Sequence, residues 1–84
     1  MYTYKVKKRL WLYKLRIDKN LTQRDIACAM GISPSHYASI ELGRRGLHGS
    51  LQRDHFVTIS KIFGIPLKKV HEMEKAHLED VIEP

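Results

Sequence analysis

Apolar and polar positions repeat with helical spacing in five stretches of this chain, and nowhere do they alternate long enough to predict a sheet. The first stretch, from about Val6 to Asp18, turns Leu12 and Leu15 to one side, flanked by Trp11 or Tyr13. Before it, YTYKV (Tyr2 to Val6) alternates, which leaves a short edge strand open there. In the second stretch Ile26, Ala27 and Met30 share a helical face. Thr22 opens it in a Thr-x-x-Asp capping pattern, with Asp25 in place of the usual Glu. Gly31 closes it, because glycine best accepts a positive φ past a helix end. The third stretch follows at once. Ser33 is its predicted cap, and Pro34 fills the first helical position, where no N–H is needed. It carries Tyr37 and Ile40 and ends near Gly43. After the glycine-rich loop GRRGLHGS (Gly43 to Ser50), a fourth helix buries Phe56, Ile59 and Phe63 and stops at Gly64. Pro66 starts a fifth, with Leu67, Val70 and Met73, which extends through Leu78 and Val81.

Eighty-four residues make a single domain, residues 1–84, with a core expected over 6–73 and a C-terminal helical extension or tail over 74–84. An apolar fraction of 43% is that of a globular chain rather than a disordered one. The single cysteine, Cys28, excludes an internal disulfide framework and suits a reducing, cytoplasmic setting. LWLY (Leu10 to Tyr13) is too short for a signal-peptide core, and no apolar run approaches the ~20 residues of a spanning helix. Charge changes the picture more. Residues 1–24 carry a net +7, residues 25–65 a net +1 and residues 66–84 a net −2. One end of the chain should therefore favour a polyanion and the other avoid it.

The two helices joined at Gly31 resemble the helix-turn-helix of the phage Cro/repressor (XRE-like) family. Counting from Gln23, the small residue falls at the fifth place (Ala27) and the turn glycine at the ninth (Gly31). Ile26, Met30, Ile32, Tyr37 and Ile40 supply the apolar positions, with LR before LTQ and IELG after. The likeness covers about residues 10 to 71. It departs from the family pattern in a longer loop after Gly43 and in Tyr37, larger than the usual Val or Ile, whose hydroxyl needs water or a partner. The resemblance implies an all-α, five-helix lambda-repressor-like fold and a sequence-specific DNA-binding transcriptional regulator. It further implies a repressor that binds double-stranded DNA at a near-palindromic operator as a homodimer.

On this resemblance the third helix enters the major groove with its first turn against base edges. Ser35, His36 and Ser39 are then the base-reading side chains, with Pro34 beside them limited to apolar contact. Gln23 matches the family glutamine that binds a phosphate and braces the reading helix. Arg44 and Arg45 follow that helix and are placed to clamp the DNA backbone. Arg24 and the Lys5–Arg9 run add to the same basic face, although Lys5, Lys7 and Lys8 read more simply as a solvated run. Arg16 and Glu41 match a family pair that bonds across the core between the first and third helices, a structural role.

Nothing supports catalysis, a metal, a cofactor or a small-molecule ligand. The five histidines lack metal-ligand spacing, since His71 and His77 are six apart and no carboxylate cluster joins them. Cys28 lies off the apolar stripe and has no activating base, so an inert thiol is expected. Two other classes of function compete. One is an antitoxin-like or other protein-interaction module on the same scaffold. The other is a membrane-surface anchor made by the basic first helix, which conflicts with the inward roles of Leu12, Leu15 and Arg16, so no membrane partner is expected.

Overall fold

The computed structural model describes residues 3–4, 7–44 and 50–83. Among them lie five helices: α1 (Leu10–Asp18), α2 (Gln23–Met30), α3 (Pro34–Leu42), α4 (Arg53–Phe63) and α5 (Leu67–Val81). Two-residue strands β1 (Thr3–Tyr4) and β2 (Ile82–Glu83) pair antiparallel, Thr3 opposite Glu83, and tie the first described residues to the end of α5. A ladder this short adds little by itself, and the architecture is all-α. No helix among the described residues is long and apolar enough to cross a membrane.

Local chemistry sets the boundaries around the α2–α3 turn. The Thr22 hydroxyl accepts the Asp25 N–H at 3.1 Å, and the Asp25 carboxylate accepts the Thr22 N–H at 2.8 Å. Those bonds hold the Asp25 carboxyl below its ordinary range. Gly31 then takes φ 71°, a left-handed conformation that reverses the chain within three residues. Ser33 caps α3 by accepting the His36 N–H at 3.0 Å.

The first helix begins later than its apolar pattern predicts, at Leu10 rather than Val6. The cause is tertiary. Residues 7–9 form an arm that crosses the C-terminal end of α3, where the Arg9 N–H donates to the Glu41 carbonyl at 2.8 Å instead of entering a helix. At the crossing, Gly43 has φ 72°, and a Cβ on it would overlap the Lys7 carbonyl. Glycine is required there twice over.

Leu12, Ile26, Ala27, Tyr37, Ile40, Ile59, Phe63 and Val70 form the buried core, drawn from all five helices. Each large aliphatic side chain so buried contributes about 1.5–3 kcal/mol relative to exposure. Ala27 has no exposed surface, and its small side chain lets α2 and α3 approach closely. Beyond that core, Glu74 of α5 is also buried, at 5% exposed.

Candidate nucleic-acid interface

Glu41, near the end of α3, joins three elements. It is 2% exposed. Arg16 of α1 grips it with two prongs, Nε to Oε2 at 2.8 Å and Nη2 to Oε1 at 2.9 Å. The Tyr37 hydroxyl donates to Oε2 at 2.8 Å, and Gln23 of α2 donates from Nε2 to Oε1 at 3.2 Å. Burial pushes the Glu41 carboxyl up, but the bonds from Arg16, Tyr37 and Gln23 and the Arg16 charge outweigh it, leaving the group below its ordinary value of 4.5. Burial and the Glu41 carboxylate push the Tyr37 phenol far above its usual range, so it stays a donor. Tyr37 thus finds the partner its hydroxyl requires, inside the same helix.

The opposite end of α3 is held by α4. The His36 ring meets the His55 ring edge-on, with centroids 6.1 Å apart and planes at 80°. His55 is 9% exposed and its Nδ1 accepts the Gln52 N–H at 3.0 Å, capping α4 and leaving the proton on Nε2. Burial, with His36 nearby, holds the His55 imidazole below its ordinary range, so it stays neutral near pH 7. His36 is therefore half-buried against α4 rather than projecting freely.

Ser33, Ser35, His36 and Ser39 line one shallow open depression on the outer side of α3. Pro34 and Ser35 are exposed, and Ser39 is half-buried. Ser35, His36 and Ser39, three of the four residues assigned to base reading from the sequence, thus share one surface, and Pro34 does not line it. Of the residues assigned to phosphate, Arg24 and Arg44 are exposed, whereas Gln23 directs its amide N–H to Glu41. Arg45 lies outside the described residues, as do Lys5 and the rest of the glycine-rich loop before Ser50.

Arg9 requires a correction. Grouped by sequence with a basic run facing DNA, it is 4% exposed and paired with Glu74 at 2.8 Å. It is not available to a phosphate. Lys8 is also engaged, its Nζ 3.6 Å from the Tyr13 ring centroid. Sequence reasoning also missed His55. Its one signal was a histidine three residues after a helix-capping position, where its Nδ1 can stand in for the usual Glu or Gln oxygen.

The family model for a helix-turn-helix domain matches residues 11–72. Comparison with curated proteins finds no match. Among solved structures, the chain is similar to the crystal structure of the clp gene regulator ClgR from C. glutamicum, at 21% identity and a TM-score of 0.63. That alignment covers 83% of this chain and 86% of the other, and at this identity it speaks for the fold. With most of the chain inside the family match and the turn, caps and Arg16–Glu41 brace in place, the chain belongs to the XRE-like helix-turn-helix domain family, a DNA-binding regulatory module.

Proposed function

We propose that this protein is a sequence-specific transcriptional regulator, acting as a repressor, that reads the major groove with α3 as a homodimer on a near-palindromic operator. The observation that carries the reading is the surface of α3. Ser35, His36 and Ser39 share one open depression, while the inward side of the same helix is held by Glu41 and its three partners. A reading helix must be both exposed and fixed in pose, and this one is. Arg24 and Arg44 stand exposed as phosphate contacts, and Gln23 braces the helix by donating its amide N–H to Glu41. A single helix pair spans too few base pairs to select one genomic site, so two copies about 34 Å apart on the duplex are required. Residues 66–84, with a net −2 in the sequence, are the segment least drawn to phosphates. Leu78, 46% exposed, lies on it, and the side chains of Val81 and Ile82 lie outside the described residues.

The test is selection of fragments from genomic DNA, followed by the double variant Ser35→Ala with Ser39→Ala. Each lost base contact should cost roughly 1–3 kcal/mol and relax preference at one position of each half-site. The double variant should keep the wild-type melting temperature and its salt-sensitive background binding while losing preference at the positions those two serines read. Unchanged selection would remove the site assignment, and failure of the wild type to select any fragment would remove the regulator reading.

A further inference from the structure

The last carbonyls of a helix have no partners within it. In α3, the Ser39 carbonyl accepts the Arg44 N–H and the Ile40 carbonyl accepts the Gly43 N–H, each at 3.1 Å. The arm adds two more bonds. Besides the backbone bond from Arg9 to the Glu41 carbonyl, the Arg9 Nη1 donates to the Ile40 carbonyl at 2.6 Å. A guanidinium here also opposes the negative pole of α3, which has no basic residue in its own last turn.

The other side of the same guanidinium is held by α5. Arg9 Nε reaches Glu74 Oε1 at 2.9 Å and Nη2 reaches Oε2 at 2.8 Å, a two-pronged pair, and Trp11 Nε1 adds a bond to Oε1 at 3.3 Å. The two side chains are 5% and 7% exposed. A buried ion pair often adds little net stability, and apolar side chains could fill the same volume. No apolar pair, however, could bond the carbonyls of α3 and a residue of α5 at once. The overlap that any Cβ at Gly43 would make with Lys7 places the arm against α3 at a second, adjacent point.

We propose that Arg9 and Glu74 are positioning residues that set the pose of α3, and with it base reading, from α5. The role rests on the DNA-reading function proposed above. It has a physical basis in the narrow window of a hydrogen bond. Donor and acceptor must lie about 2.7–3.2 Å apart, so a shift of α3 by about 1 Å forfeits a base contact. Phosphate contacts from long arginines absorb the same shift.

The experiment compares the full chain with Glu74→Gln, Glu74→Asp and Arg9→Lys. Two readouts are taken. The first is amide hydrogen exchange at Gly43 and Arg44 against amides in α2. The second is the ratio of affinities for a selected fragment and for random-sequence DNA. Exchange at Gly43 and Arg44 should quicken about tenfold with α2 unchanged, and the affinity ratio should fall about tenfold, within the roughly 5–150-fold span of coupled sites. A merely structural pair predicts otherwise. Exchange would quicken throughout and both affinities would fall together with the folded fraction, and that result overturns the proposal. Unchanged exchange at Gly43 and Arg44, or an unchanged ratio, also overturns it. If Glu74→Gln does not fold, Glu74→Asp, which keeps the charge on a shorter side chain, supplies the same comparison. A wild type that selects no DNA sinks the regulator reading instead, and the exchange measurement then decides the coupling alone.

Discussion

Replacing Arg16 with alanine will cost the domain about 3–5 kcal/mol at neutral pH, because it leaves Glu41 ionised, buried and short of its charged partner. Small domains hold only about 5–15 kcal/mol in total, so the variant will stand near the edge of folding. At roughly 4 °C or more per kcal/mol, its melting temperature should fall by at least about 12 °C. The loss is pH-dependent, and its sign follows from the geometry. In the wild type the folded Glu41 carboxyl lies below its ordinary 4.5, so its contribution is complete above that value and disappears as pH falls through the lower, folded one. Without Arg16, burial works only against the bonds from Tyr37 and Gln23, and the carboxyl moves up. The variant will then take a proton as the solution is acidified, relieving its stranded charge. The gap between the two melting curves should be widest at pH 7 and narrower near pH 4. A gap that is constant with pH, or absent, would show that the brace does not carry this energy.

Affinity for the operator will fall steeply with salt. Each phosphate neutralised by an arginine releases condensed counterions, giving a slope near −0.9 per contact in log affinity against log salt. Arg24, Arg44 and Arg45 in each of two protomers make six contacts, for a slope of about −5. Arg44→Ala should flatten it by about 2 and weaken selected and random DNA alike, in contrast to the serine variants, which act on preference alone. Titration of labelled duplex across a salt series gives the slope directly. A slope near zero would mean that these arginines face something other than a nucleic acid.

The helix-turn-helix was legible because its signals are local. Thr22 with Asp25, Gly31, and Ser33 with Pro34 each act within a few residues, and each forms the predicted local geometry. The Arg16–Glu41 pair was legible only through the resemblance, which supplied the long-range pairing that spacing cannot. Where no resemblance reached, the reading failed in a consistent way. Arg9 looked like one of several cations and Glu74 like part of an acidic tail, since nothing in either neighbourhood marks a partner 65 residues away. The start of α1 was misplaced for the same reason. Val6 to Arg9 are compatible with a helix, but the Arg9 N–H gains a carbonyl of α3 that its own sequence cannot foresee. His55 was missed because a histidine at the start of an amphipathic helix reads as solvated until Gln52 and His36 are seen against it.

The contact between the arm and Gly43 bears on how relatives of this chain can be sorted. Gly31 and Gly43 both end helices with nearly the same φ, yet the space about Gly31 is open while that about Gly43 is filled by the Lys7 carbonyl. Asparagine tolerates the left-handed region and can replace the first. No side chain can replace the second while the arm stays where it is. A related sequence with any other residue at this position must route its N-terminal segment elsewhere, and it gives up the arginine that joins the last helix to the third. The one letter after Ile40-Glu41-Leu42 then separates chains built with this strap from chains that turn the same helices without it.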